Sequence, residues 1–258
     1  MVDEPEHLRL RGRVLRCSIA GGPKGTLDMD AVRAAASVLV RTGPQVGCVL
    51  IVGGTPNFCT GGDVRAFAAA PDRRALLAEM AHDLHALVLG LAETPLPVVT
   101  GVSGWAAGAG MSIACVADVI VGGPDTRFRP AYPSIGYSPD GGMSWTLARS
   151  IGAARARDLL LTDSVLGGEE ALRAGLLTRL VATEDVQHTA ESVAAALADG
   201  PTETYARIKR LLAEAPARSL AEQLTAEAES IAESADSPAG RAGVDAFIRR
   251  HTSRSPRP

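Results

Sequence analysis

The chain has 258 residues and carries 26 Lys and Arg against 29 Asp and Glu, which gives a formal charge of -3 at pH 7. This balance argues against a general nucleic-acid binder, which needs a basic face to release counterions from phosphate. Hydrophobic residues make up 46% and charged residues 21% of the chain, as is usual for a globular protein with a real core.

The first half of the chain predicts alternating strands and helices. Short apolar runs near glycine predict buried strands, and apolar residues at three- and four-residue spacing predict helices. In chain order we expect a strand at 13–20, a helix at 28–40, a strand at 48–53, a helix at 75–91, and strands at 98–102 and 119–121. This alternation favours an α/β core.

From residue 143 onward the pattern becomes mostly helical. The predicted helices are 143–151, 153–161, 168–174, 186–199, 202–214 and 220–234, with a last strand at 177–181. Proline and the SADSPAG stretch interrupt the helices without a long linker, which favours a helical extension over a separate domain. We therefore expect a core at 1–195 and a helical region at 196–258 within one folding unit.

The sequence also bears on cellular location and on the state of the cysteines. The N-terminal region MVDEPEHLRLRGRV has no apolar core of a secretory signal, so we expect a cytoplasmic protein. Cys17, Cys48, Cys59 and Cys115 form no CxxC pair, which favours reduced thiols over a zinc site or a disulfide scaffold. The uncharged stretch 95–117 is long enough to span a bilayer, but its glycines favour a buried strand, turn and helix, and no membrane contact is expected.

Two glycine-rich turns carry the main candidate chemistry. They are NFCTGGDV at 57–64 and GWAAGAGM at 104–111, and each follows a predicted strand and opens a helix. Backbone N–H groups at such turns lack partners and favour negative charge. Two such turns facing each other would form an oxyanion hole for a thioester enolate or a tetrahedral oxyanion. Alternatively, the glycines serve only tight turns and close packing.

Other motif interpretations fit less well. The GAG at 108–110 lacks the third glycine of a dinucleotide fingerprint, and the chain has no GxxxxGK[ST] loop. The GVSGW at 101–105 lacks the last glycine of a nucleophile elbow, so we interpret Ser103 as structural. His82 and His85 are too few for a metal site without further ligands, and no metal is expected.

Several ordered segments resemble the crotonase (enoyl-CoA hydratase/isomerase) superfamily. They are FCTGGDV at 58–64, GVSGWAAGAGMSIACVADVIV at 101–121, IGYSPDGGMSWTLARSIG at 135–152, LLLTDSVLGGEEALRAGLLTRLV at 159–181 and AGVDAFIRR at 242–250. The resemblance implies an α/β fold in the form of a crotonase-like spiral of ββα units, with a C-terminal helical region used for trimerisation. It also implies an acyl-CoA thioester substrate, a homotrimer or a hexamer, and no cofactor beyond the coenzyme A of the substrate.

The resemblance also assigns residues to the site. The oxyanion donors by position are the N–H groups of Gly62 and Ala109. The residues placed around the substrate are Lys24, Thr60, Gly61, Tyr132, Phe247 and Arg250. Lys24 matches a position near the adenine pocket, whereas Phe247 and Arg250 match positions that reach coenzyme A, on a neighbouring subunit. The Arg250 guanidinium would offset the charge of the ribose phosphate.

The reaction type depends on three positions. Where a typical hydratase of this superfamily has two glutamates, this sequence has Ser112 and Tyr132. Adding water needs both a base and an acid, and neither residue replaces a carboxylate well. Asp140, in SPDGG, matches the catalytic aspartate of the isomerase branches, which include Δ3,Δ2-enoyl-CoA isomerases and an epoxide-to-oxepin isomerase of phenylacetate breakdown. Alternatively, Asp140 caps the helix that begins near Gly141.

His85 is a further catalytic candidate. It lies beside the apolar stripe of the helix at 75–91, which favours a hydrogen-bonded core histidine. Its spacing from Ala109 and Asp140 also resembles the 4-chlorobenzoyl-CoA dehalogenase branch, in which a histidine base and an aspartate nucleophile share the site. Tyr132 stands where that branch has tryptophan, so dehalogenation ranks below isomerisation. Weak hydration, thioester hydrolysis and a non-catalytic acyl-CoA-binding subunit remain alternatives.

Overall fold

The computed structural model describes residues 7–21 and 24–252. By its internal contacts the chain divides into two compact units, Met1–Gly200 and Pro201–Pro258. The boundary lies close to the one expected after residue 195. That the two regions form one folding unit stays a prediction.

The elements of the first unit alternate as the sequence predicts. The first half contains β1 (Leu8–Arg11), β2 (Val14–Ser18), β3 (Ala20–Gly21), β4 (Thr26–Leu27), α1 (Met29–Leu39), β5 (Cys48–Val52), α2 (Val64–Ala69), α3 (Arg73–Glu93), β6 (Val98–Val102), β7 (Trp105–Ala107) and α4 (Ala109–Cys115). The second half contains β8 (Val119–Gly122), β9 (Arg127–Arg129), α5 (Met143–Ile151), α6 (Ala153–Thr162), β10 (Leu166–Gly167), α7 (Gly168–Ala174), β11 (Arg179–Leu180) and α8 (Val186–Ala198).

These strands form three sheets. The largest has six strands in the order β1-β2-β5-β6-β8-β11, antiparallel between β1 and β2 and parallel between all other neighbours. A second sheet has the order β10-β9-β7, and the third pairs β3 with β4. The predicted α/β class is therefore confirmed. The helices are needed here because a parallel connection requires a crossover.

The central strand β5 is buried on both faces. All five of its residues are buried. Val49 and Ile51 pack into the larger apolar cluster, to which α3 also contributes, whereas Cys48, Leu50 and Val52 pack with residues of α8. A strand covered on both sides reads as a continuous apolar run, which is the reason the sequence shows one here.

The stretch 95–117 forms β6, β7 and α4, which confirms the predicted strand, turn and helix. Among the described residues, α3 is the one helix long and apolar enough to cross a membrane. That criterion is weak evidence, because core helices of globular proteins also meet it. In this structure Leu84, Leu87 and Leu91 of α3 are buried in the apolar core.

The second unit is helical. It contains α9 (Thr202–Glu214), α10 (Leu220–Asp236) and α11 (Pro238–Thr252). A capping box of Ser219 and Glu222 starts α10. The break predicted at the SADSPAG stretch is confirmed, because α10 ends at Asp236 and α11 begins at Pro238. Pro238 is tolerated there because a helix does not use the N–H of its first residue, and Ser237 Oγ accepts the N–H of Gly240.

Candidate active site

A cavity of about 520 Å³ opens in the first unit, and most of the predicted site residues lie along it. Those in its wall are Thr60, Gly61, Gly62, Ala109, Tyr132 and Asp140. Much of the remaining wall is apolar and comes from three elements: Leu27 on β4, Phe67 on α2, and Leu77 and Leu84 on α3. The cavity is therefore a largely apolar pocket with a few polar groups, as small-molecule sites commonly are.

The two glycine-rich turns meet at this cavity. Gly61 has φ +85° and Gly108 has φ +52°, both in the region that favours glycine. A β-carbon on Gly61 would lie 3.1 Å from the Ala107 carbonyl oxygen and 3.7 Å from the Gly108 Cα, so the turns touch. Within the described residues, the N–H groups of Gly62 and Ala109 have no hydrogen-bond acceptor. Two unpartnered donors therefore lie on neighbouring turns in the wall of one cavity.

Thr60 ties the first turn to the loop that carries Lys24. Its Oγ lies 3.2 Å from the carbonyl oxygen of Lys24 and 3.3 Å from that of Gly25, and its N–H donates to Gly25 at 2.8 Å. Lys24 itself is exposed and does not line the cavity. Thr60 thus has a structural contact that its position in the motif does not reveal.

Asp140 is held by two neighbouring hydroxyl groups. Tyr132 donates its hydroxyl hydrogen to Asp140 Oδ1 at 2.6 Å. Ser112 Oγ lies 3.1 Å from the Asp140 carbonyl oxygen and 3.3 Å from the Tyr132 hydroxyl. The side chain of Asp140 does not cap α5, since Gly142 occupies the N-cap position without any side-chain bond. The interpretation of Asp140 as a helix cap is therefore wrong.

The tyrosine hydroxyl keeps its proton in this environment. Burial raises the pKa of Tyr132, and the negative charge of Asp140 raises it further, well above the ordinary value of 10. Tyr132 therefore acts as a hydrogen-bond donor at neutral pH and not as a base.

His85 lies next to this group but outside the cavity wall. It is exposed, which differs from the core position that the helix pattern favours. Its Nε2 accepts the N–H of Gly141 at 3.2 Å. The histidine thereby supports the backbone immediately after Asp140.

Phe247 and Arg250 lie on α11 in the second unit, and both are exposed. The cavity described above consists of residues of the first unit. Their contact with coenzyme A stays a prediction.

The structure adds contacts that the motifs do not announce. Phe67 of α2 and the lining residues of α3 come from segments without a motif, and only the apolar residues at helical spacing indicated α3. Asp163, at the end of α6, accepts the N–H of Ala131 and pairs with Arg129, both at 2.7 Å.

All four cysteines are buried and none forms a disulfide, as expected. Burial raises the pKa of the Cys59 thiol to about 11, which argues against a nucleophile in the first turn.

The chain is similar to known proteins in sequence and in fold. A protein of Rhodobacter capsulatus named as a probable enoyl-CoA hydratase is 33% identical over 234 residues, which cover 87% of this chain and 90% of that one. The 1,2-epoxyphenylacetyl-CoA isomerase of Escherichia coli is 32% identical over 230 residues, or 87% of each chain. The crystal structure of an enoyl-CoA hydratase from Polaromonas matches with a TM-score of 0.86 at 28% identity, over 94% of this chain and 96% of that one.

The fold and the cavity define a crotonase-like protein, an α/β enzyme with a C-terminal helical region. The sequence model of the family described as enoyl-CoA hydratase/isomerase matches residues 29–254. The chain belongs to the enoyl-CoA hydratase/isomerase family and is an acyl-CoA enzyme of that family.

Proposed function

We propose that the protein shifts a carbon–carbon double bond of an enoyl-CoA thioester from Δ3 to Δ2. The observation that carries this proposal is the carboxylate content of the cavity wall. Among the described residues that line it, Asp140 is the one carboxylate. Isomerisation needs one group that removes a proton and returns it, whereas hydration needs both a base for water and an acid for the α-carbon.

The reaction follows from the positions of the donors and the carboxylate. The thioester oxygen accepts the N–H groups of Gly62 and Ala109, which stabilise the charge that develops on it. Asp140 takes a proton from C2, and the electron pair of that C–H bond forms the dienolate. The carboxyl group then returns the proton to C4, which leaves the double bond between C2 and C3. No atom or electron is gained or lost, so the proposed reaction needs no redox cofactor, and the two N–H donors take the part that a metal would play in stabilising the charge on the thioester oxygen.

The walls of the cavity suit an apolar acyl group. Leu27, Phe67, Leu77, Met80 and Leu84 line it. Apolar walls keep water away from the dienolate, and in such surroundings the two N–H donors act more strongly than they would in water.

Hydration is the second candidate, because one relative carries the name of a hydratase. The name of the Escherichia coli relative, an isomerase, supports the first. Hydration would require Tyr132 to take the place of the second carboxylate, and its raised pKa makes it a poor proton donor. Dehalogenation would need His85 as base, but its Nε2 accepts the N–H of Gly141.

The remaining expectations belong to the same proposal. We propose a cytoplasmic homotrimer, or a hexamer of two trimers, that contacts neither nucleic acid nor membrane. Phe247 and Arg250 would reach the coenzyme A of a neighbouring subunit, and Lys24 would lie near its adenine.

A chromatographic time course with 3-hexenoyl-CoA, and separately with 2-hexenoyl-CoA, tests the function. We expect conversion of the 3-enoyl substrate without 3-hydroxyacyl-CoA. Asp140→Asn should abolish this conversion while leaving acyl-CoA affinity nearly intact. Asp72→Asn is a matched control, because Asp72 caps α3 away from the cavity and asparagine caps equally well.

Three results would contradict the proposal. Conversion that survives Asp140→Asn would remove Asp140 as the acid/base group. Accumulation of the hydroxyacyl product would favour the hydratase. Tight acyl-CoA binding without turnover of either substrate would favour a binding subunit.

A further inference from the structure

The hydrogen bond between Tyr132 and Asp140 distinguishes the two carboxylate oxygens. Oδ1 accepts the Tyr132 hydroxyl at 2.6 Å, whereas Oδ2 has no hydrogen-bond partner within the described part of the chain. A hydrogen bond to an ionised acceptor at this distance is stronger than one between neutral groups. One oxygen is thus engaged by the protein, and the other is left to exchange a proton with the substrate.

Ser112 supports the same pair from α4. It is fully buried, and its Oγ lies 3.1 Å from the Asp140 carbonyl oxygen and 3.3 Å from the Tyr132 hydroxyl. The tyrosine has a single hydroxyl hydrogen, and this hydrogen is used on Asp140. In its contact with Ser112 the tyrosine oxygen can therefore only accept. The single serine hydrogen goes either to that oxygen or to the Asp140 carbonyl oxygen, so Ser112 supports either Tyr132 or the backbone of Asp140.

The backbone before Tyr132 is held as well. Ala131 has φ +63°, a conformation that is unfavourable for alanine and persists only where neighbouring contacts hold it. Asp163 provides such a contact, since its Oδ1 accepts the Ala131 N–H at 2.7 Å while its Oδ2 pairs with Arg129. Tyr132 thus reaches the cavity from a fixed point of the chain.

We propose that Tyr132 is a positioning residue that fixes the rotamer of Asp140 and leaves Oδ2 to the substrate. The inference rests on the proposed acid/base role of Asp140. A carboxylate held in one orientation does not have to lose rotamer freedom when it reacts at C2 and C4 of a bound acyl chain. Such fixed orientation of a catalytic group increases the rate. The high pKa of Tyr132 that burial and Asp140 produce keeps the donor hydrogen in place through the cycle.

The test compares Tyr132→Phe with Tyr137→Phe in the full chain. Tyr137 also lines the cavity, but its hydroxyl has no hydrogen bond among the described contacts, so each variant loses one hydroxyl from the same pocket. With 3-hexenoyl-CoA we expect Tyr132→Phe to lower kcat by about tenfold or more and to change KM by less than about twofold. A rise in KM at unchanged kcat would overturn the inference.

A spectroscopic arm reports the contact without using activity. The chain has three tyrosines, so labelling with ¹³C at Cζ gives three signals, of which Tyr132→Phe removes one. We expect Asp140→Asn to move that signal in an otherwise folded protein, because the charged acceptor is lost, whereas Asp72→Asn should leave it in place. Tyr137→Phe and Tyr205→Phe remove the other two signals and so identify the Tyr132 signal by elimination. A Tyr132 signal that does not move would overturn the inference even if Tyr132→Phe failed to fold.

The kinetic and the spectroscopic experiments together distinguish a failure of the proposed function from a failure of the positioning role. If the wild-type protein does not isomerise 3-hexenoyl-CoA but the Tyr132 signal responds to Asp140→Asn, the proposed function fails while the fixed carboxylate stands. If the protein isomerises and Tyr132→Phe has the wild-type kcat, the function stands and the positioning role falls.

Discussion

The ring of Phe67 packs directly against Gly62, so closely that a β-carbon on Gly62 would lie 2.4 Å from Phe67 Cζ. Phe67 is buried on α2 and lines the cavity. The first proposed oxyanion donor therefore depends on an aromatic side chain five positions further along the chain. Glycine is needed at position 62 for space, since its N–H alone would serve in any residue but proline.

Gly62→Ala tests this packing. We expect the new methyl group to push Phe67 and the turn apart, to lower the free energy of unfolding by about 1–3 kcal/mol, and to reduce kcat for 3-hexenoyl-CoA at least tenfold. The double variant Gly62→Ala/Phe67→Leu should recover part of both losses, because the smaller side chain makes room for the methyl group. Urea unfolding and steady-state kinetics measure the two effects. Equal losses in the single and double variants would show that the contact with Phe67 is not the cause.

The contacts of Asp163 predict how the free energy of unfolding changes at low pH. Burial opposes its ionisation, but the Arg129 guanidinium and the Ala131 N–H outweigh this and lower the pKa of Asp163 below its ordinary 3.8. Such a group contributes stability above its unfolded pKa, and the contribution is lost as pH falls through the folded pKa. We expect Asp163→Asn to lower the free energy of unfolding by about 1–3 kcal/mol at pH 7. The difference from wild type should shrink below about pH 4.

Urea unfolding between pH 7 and pH 3 measures this difference. Asp158→Asn on the exposed face of α6 is the control, because the Asp158 side chain has no partner among the described hydrogen bonds and ion pairs. A constant difference across the whole range would mean that the charge of Asp163 does not stabilise its contacts with Arg129 and Ala131.

His85 makes a prediction that separates two reactions. In isomerisation its Nε2 only supports the Gly141 N–H, so His85→Ala should lower kcat by about three- to tenfold, the effect of one hydrogen bond. His82→Ala, on the exposed side of α3, is the control and should have no effect. Steady-state kinetics with 3-hexenoyl-CoA measures both. Complete loss of turnover in His85→Ala would instead make the imidazole part of the chemistry.

Several helices and strands could be predicted from the sequence, because the residue pattern that indicates each of them lies within the element itself. The strand at 98–102 and the helix at 143–151 have the predicted bounds, since a strand buried on both faces shows an apolar run and an amphipathic helix shows a period, each within its own residues. The strands β7 and β9 have three residues each, which is too short for any period to show. Their place in a sheet comes from pairing with each other in parallel, not from their own composition.

The sequence by itself determined the α/β class, the two glycine turns and the acidic residue of SPDGG, because each depends on neighbours within one short segment. Only the tertiary structure decided that Asp140 bonds Tyr132 instead of capping α5, and that His85 lies outside the cavity wall. It also decided that Asp163 holds a segment more than thirty positions away. Side-chain hydrogen bonds require atoms within about 3 Å of each other, and a distance of that kind between remote residues exists only once the chain has folded.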